Sequence, residues 1–218
     1  MTTRKHFLVA SGAVAATSLA AVGAIEVHQA MNSHFVFNSQ LFARTLARSA
    51  RHRQCFATTH LNNGEALILM LNSLNAYEYD LGEGPGTLHC AAVFYHGYAA
   101  AIAFNDQVWN ELVLPSNILS AAHSVAAPAG SGNPYLSAHT NRKEDASVEA
   151  LSARGASFFV CHNSIQSAST QLAQALSLKP ADVMRRLLAG IVPQAQVVPA
   201  GVMAVNALQE AHFTYING

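Results

Sequence analysis

Cys161 closes a short apolar run, residues 157–161, and is followed at once by His162, Asn163 and Ser164. A cysteine thiolate is a strong nucleophile, and it is the form that accepts or passes on a sulfane sulfur atom. A cysteine that ends a strand and precedes a helix lies in the partial positive charge of the helix N-terminus, which favours thiolate over thiol. Asn163 and Ser164 are both residue types that cap such a start. A protonated histidine nearby has the same effect as the helix end. His162 is adjacent in sequence, but successive strand residues point to opposite faces, so His96 is the alternative candidate. The competing reading is a structural one, because free cysteine is among the most buried residue types and often packs as a small hydrophobe.

The chain has three cysteines, Cys55, Cys90 and Cys161, so at least one thiol lacks an internal partner. No C-x-x-C pair, haem-attachment motif or zinc-ribbon spacing occurs. Cys90 lies inside the apolar run 88–94 and reads as core, whereas a core position, a free thiol and a disulfide all stay open for Cys55. Eleven histidines are many for 218 residues, and imidazole with thiolate suits copper or zinc. No His-x-His or His-x-x-x-His spacing supports that, and no metal ligand set is assigned. Dinucleotide fingerprints, P-loops, G-x-S-x-G elbows and H-E-x-x-H helices are missing from the sequence, and no cofactor is expected. The glycine cluster at 82–86 lies between a helix and the next strand, the reverse of the order a phosphate loop needs, and reads as a turn.

Alternating short apolar runs and helical stretches position these residues. They predict an α/β fold of repeated β-α units on a mostly parallel sheet of about five strands. The strands are expected at 54–59, 87–95, 157–161, 196–198 and 214–216. Helices are expected over 38–53, from about Asn63, from about Asp145 to Ala153 and, with Pro180 at its start and Gly190 just past its end, over the 180s. Ligands of open parallel sheets bind beyond the carboxyl ends of the strands. The residues there are polar: His60 and Asn62 after the first strand, His96 and Gly97 after the second, His162, Asn163 and Ser164 after the third, Pro199 and Gly201 after the fourth. Cys161, His96 and His162 are thus the candidate catalytic residues, and His60, Asn62, Asn163 and Ser164 the candidate binding groups. Trp109 reads as a core or subunit anchor.

Hydrophobic residues make up 51% of the chain and charged residues 11%, with twelve basic against twelve acidic. That balance offers no footprint for nucleic acid. Arg4 and Lys5 precede an uncharged run rich in Ala, Val and Gly that ends at Ala24 in a small-residue cleavage pattern. Residues 1–24 therefore read as an export signal, similar to a twin-arginine signal but with Lys5 in place of the second arginine. A periplasmic or secreted protein with no stable membrane span after cleavage is expected. Residues 25–53 read as an arm or helix and 54–218 as the α/β domain. Within the domain, the Pro/Gly-rich stretch at about 115–152 reads as a long loop.

Two segments carry a family resemblance. One runs from Leu61-Asn62-Asn63-Gly64-Glu65-Ala66-Leu67 through Leu74-Asn75-Ala76-Tyr77 to Phe94-Tyr95-His96-Gly97. The other runs from Ser157-Phe158-Phe159-Val160-Cys161-His162-Asn163-Ser164 through Ile191-Val192-Pro193 and Val197-Val198-Pro199-Ala200-Gly201-Val202 to Phe213-Thr214-Tyr215-Ile216. Together they resemble the DsrE-like family of sulfur-carrier proteins. The resemblance implies a three-layer α/β/α sandwich around the mostly parallel sheet, assembly as a homo-oligomer, a trimer or hexamer, a persulfide-carrying cysteine that maps to Cys161, and a sulfur donor or acceptor protein as partner. Two features depart from the family pattern: no arginine-glycine pair follows Cys161, and the 115–152 loop is long. The alternative function is a non-catalytic binding or assembly module of the same fold, holding a metal or small ligand at the strand rim. A secreted structural subunit that makes its contacts through the arm and the long loop is a third reading.

Overall fold

Every residue of Leu88–Phe94 is buried, as a strand with a helical layer on each face requires, and this run forms the middle of the sheet. The structure, a computed structural model, describes residues 35–96, 98–119, 130–137 and 146–218. The expected signal at 1–24, the arm up to residue 34, Gly97, and the loop segments 120–129 and 138–145 lie outside the described residues. Phe37–Gly218 is one compact unit.

Its five strands are β1 (His52–Thr58), β2 (Leu88–Phe94), β3 (Ser157–Cys161), β4 (Ala195–Val198) and β5 (Thr214–Asn217). All pair in parallel, in the order β4-β3-β2-β1-β5. The register sets Thr58 beside Phe94, Phe94 beside Val160 and Cys161 beside Val198, so four strands end on one rim. β1 starts two residues earlier than expected because His52 and Arg53 pair with Leu88 and His89. That places residues 52–53 in the sheet and not in the arm.

Among the described residues the α-helices are α1 (Ser39–Ala47), α2 (Glu65–Asn75), α3 (Asp106–Val108), α4 (Val148–Ala153), α5 (His162–Leu176), α6 (Pro180–Ala189) and α7 (Gly201–Glu210). One apolar core joins α2, α4, α5 and α6 to one face of the sheet, and Trp109 and Cys90 are fully buried within it. A second core lies on the other face, beneath α1 and α7, and contains Phe42, Cys55, Phe159 and Leu208. The architecture is therefore α/β/α, as expected.

Local chemistry sets the helix ends. Asn38 caps α1, its Oδ1 accepting the Leu41 amide at 2.9 Å, and Phe42 meets Phe159 edge-on at 5.1 Å between ring centroids. α1 ends at Ala47, short of the expected residue 53, because the chain turns into β1. α2 starts two residues later than expected, after a tight turn in which Asn62, Asn63 and Gly64 all take positive φ. Ser147 caps α4, accepting the Ala150 amide at 3.1 Å, and so fixes a later start than Asp145. Gly190 ends α6 with φ of −95°, so left-handed backbone is not its role. A Cβ there would lie 2.2 Å from Val108 Cγ2, and glycine permits that close approach.

Candidate functional site

Cys161 ends β3 and occupies the N-cap position of α5, the helix of fifteen residues that begins at His162. Cys161 makes no side-chain cap hydrogen bond to this helix. α7 starts beside it on the same rim, after Ala200, also without a side-chain cap. The two N-termini meet at close range: a Cβ on Gly201 would lie 3.3 Å from Cys161 Cβ and 2.2 Å from Tyr95 Cβ.

Between these helix ends opens a cleft of about 390 Å³. Cys161 lines it, with 5% of its surface exposed. Tyr95 and His96 form the β2 side, Gly201 and Val202 the α7 side, and Asn163, Ser164, Ser167 and Gln171 the α5 side. Among the described residues, no carboxylate, lysine or arginine lines it. Partial charge in the cleft therefore comes from backbone dipoles and neutral polar groups. Each helix N-terminus stabilises a nearby negative charge by roughly 0.3–1 kcal/mol, rising to about 2 kcal/mol when partly buried.

The polar wall is held in place by hydrogen bonds. Ser164 does not cap α5; its Oγ accepts the backbone N–H of His96, and that bond pins His96 at φ of 63°. Left-handed backbone is uncommon outside glycine, and histidine is among the residues enriched there. Gln171 accepts from the Tyr98 hydroxyl and donates from Nε2 to Ser167 Oγ at 3.2 Å. Burial, and then the hydrogen bond to Tyr215, pushes the Tyr95 phenol above its usual range.

Of the residues expected from sequence, Cys161, His96, Asn163 and Ser164 come together at this cleft. His162, the first residue of α5, is buried and does not line it. His60 and Asn62 lie beyond β1 on the same rim, outside the cleft lining. The His60 ring bonds Thr59 Oγ1 at 2.8 Å, and Asn62 forms the turn before α2 with φ of 41°. Sequence reasoning missed Tyr95, Ser167 and Gln171. Ser164, Ser167 and Gln171 recur at helical spacing on one face of α5, and that stripe was the available signal. Among the described residues, no group of three or more His, Cys, Asp or Glu could hold a metal ion, and no helix is long and apolar enough to cross a membrane.

The other two thiols differ sharply. Cys55 and Cys90 are fully buried free cysteines, and burial pushes each up to about 12 from 9.0. Three decades leave them roughly a thousandth of the thiolate of an ordinary cysteine at neutral pH. Iodoacetamide added to the native protein near neutral pH is expected to label Cys161 and to spare Cys55 and Cys90 until denaturant is added. Peptide mass mapping reads the outcome, and equal labelling of the three would contradict it.

No model of a known protein family matches the chain, and no curated protein matches it. Among solved structures the chain is similar to a protein of unknown function from Methanobacterium thermoautotrophicum. That likeness has 14% sequence identity and a TM-score of 0.39, over 77% of this chain and 99% of the other.

Proposed function

We propose that the protein is a sulfur handler of the DsrE-like kind, a carrier or sulfurtransferase in which Cys161 holds a persulfide. The observation that carries this reading is the position of Cys161: at the N-cap of α5, beside the N-terminus of α7, in a cleft that no acidic or basic side chain lines among the described residues. In the transfer step the Cys161 thiolate attacks the outer sulfur of a donor persulfide. The new sulfur–sulfur bond forms as the donor bond breaks, and the donor thiolate leaves with the electron pair and takes a proton from solvent. The two helix termini present positive partial charge to the sulfur that reacts. His96, fixed by Ser164, is the histidine of this cleft and the assisting group in the proposal, and Asn163 supplies a polar contact.

Export to the periplasm or beyond, assembly as a trimer or hexamer, and a protein donor or acceptor belong to the same proposal. The first rests on residues 1–24 and the other two on the family resemblance. The rival, a non-catalytic binding or assembly module, draws on the near-complete burial of the thiol. The two separate in one experiment. Wild-type protein treated with inorganic polysulfide should gain the mass of one sulfur atom, lose it on reduction, and fail to gain it as Cys161→Ser. A gain that survives in Cys161→Ser, or none in the wild type, sinks the sulfur-carrier reading.

A further inference from the structure

We propose that, within the sulfur-carrier reading of Cys161 on which this rests, the cleft selects small persulfide donors whose tails carry no charge, and that Val202 at its mouth sets the preference. The two long walls of the cleft differ in character but share one property. On one side stand Tyr95, Ala200, Gly201 and Val202, a wall of aromatic ring, aliphatic side chain and bare backbone. On the other, Asn163, Ser167 and Gln171 follow at intervals of four along α5, all exposed, with Gln171 Nε2 donating to Ser167 Oγ at 3.2 Å. Amides and a hydroxyl offer hydrogen bonds without charge. Among the described residues, His96 is the one lining side chain that can become cationic.

The reaction sets the donor's tail between these walls. Cys161 is 5% exposed, so the outer sulfur of the donor comes down into the cleft to meet it. Displacement at sulfur is in line, with the leaving thiolate opposite the attacking one. The Cys161 thiolate bonds to the outer sulfur, which keeps its hydrogen. The donor's sulfur–sulfur bond breaks, and the inner sulfur departs as RS⁻ with the electron pair. R therefore lies outward of the reacting sulfurs, against Tyr95 and Val202 on one side and the α5 amides on the other.

A tail bearing carboxylates, such as that of glutathione persulfide, gives up water there and meets no guanidinium or ammonium among the described residues. An apolar tail gains contact with the Tyr95 and Val202 wall instead. Val202 is 65% exposed, so its side chain can be exchanged without disturbing the core. Once loaded, Cys161 holds its outer sulfur about 2 Å beyond the thiol position, nearer the mouth, where the thiol of a protein acceptor meets it. Small molecules thus belong to loading, and the protein partner to unloading.

The test offers benzyl persulfide and glutathione persulfide to the full chain, native and unfolded in urea. Inorganic polysulfide, which has no organic tail, reports whether the native thiol loads at all. Dividing the native by the unfolded loading rate of the Cys161 peptide removes each donor's own reactivity and leaves the selection made by the fold. The ratio for benzyl persulfide should exceed that for glutathione persulfide by about tenfold, the equivalent of one polar group left unmatched in the cleft. Val202→Arg should raise the glutathione ratio up to about fivefold at low salt and leave the benzyl ratio no higher. Equal ratios for the two donors overturn the proposal, and so does a Val202→Arg protein whose glutathione ratio does not move. A native chain that polysulfide fails to load, while the unfolded chain loads, sinks the sulfur-carrier reading itself, a different result from equal ratios.

Discussion

Gly201→Val should abolish sulfur loading at Cys161 while leaving the sheet folded. The first atom of any side chain at position 201 would lie 2.2 Å from Tyr95 Cβ and 2.7 Å from Tyr95 Cγ. Neither is the far end of a flexible chain, so the N-terminus of α7 must retreat. Glycine here does not serve an unusual φ; it brings a helix end against the cysteine. Replacing glycine in a helix normally stabilises by up to about 1 kcal/mol. Overpacking typically costs 1–3 kcal/mol, and contact this short belongs at about the upper end, so the net sign is destabilising. Moving α7 takes one of two positive helix ends away from the thiol and fills the cleft with isopropyl. Urea unfolding together with intact mass after polysulfide treatment reads both effects. Unchanged stability with full loading would contradict the role given to this glycine.

The second large effect lies away from the cleft. Asn133 is fully buried, and its Nδ2 donates to Ala101 O at 3.0 Å and Phe104 O at 2.5 Å, with Ile102 O at 3.3 Å. Its Oδ1 accepts the Tyr135 amide at 3.0 Å, and its own amide bonds Asp106 Oδ1 at 2.9 Å. Asn133→Ala strands several backbone groups where water does not reach them. Each unsatisfied buried group costs about 1–3 kcal/mol, and because such losses are not additive the expected total is roughly 3–5 kcal/mol. Asn133→Asp should be no better, since a carboxylate cannot donate to those carbonyls and places a charge against them. Chemical denaturation measures the loss, and a change under about 1 kcal/mol would contradict the account. Below the lowered melting temperature this variant should still load sulfur, which separates a stability defect from a site defect.

These two residues show where sequence was legible. The span of β3 reads directly as Ser157–Cys161, and the apolar run around Cys90 reads as buried strand, because a sheet covered on both faces demands unbroken hydrophobic residues. The address of Cys161 on the strand rim followed from those spans. Asn133 was hidden because it lies in a segment dense in proline, glycine and serine, where asparagine looks like ordinary loop residue. Its partners stand about thirty positions away and no local pattern reveals them. Ser164 misled for a related reason. It is a good capping residue by type, but the His96 amide, 68 positions earlier, takes its hydroxyl. His162 and Cys161 shared a motif in sequence and are parted because the strand ends at Cys161 and the helix begins at His162. Gly155, just past α4, takes φ of 89°, and its contact with the Arg48 guanidinium, from a residue far away in sequence, has no local signature.

The sulfur-carrier proposal claims that one of three thiols accepts sulfur, and that fold position selects it. The most direct measurement treats native wild-type protein with polysulfide, traps persulfides with an alkylating reagent, and maps each cysteine peptide by mass spectrometry. The account predicts one added sulfur on the Cys161 peptide and none on the peptides of Cys55 and Cys90. Sulfur spread over all three cysteines, or a Cys161 peptide that stays unmodified, would contradict it.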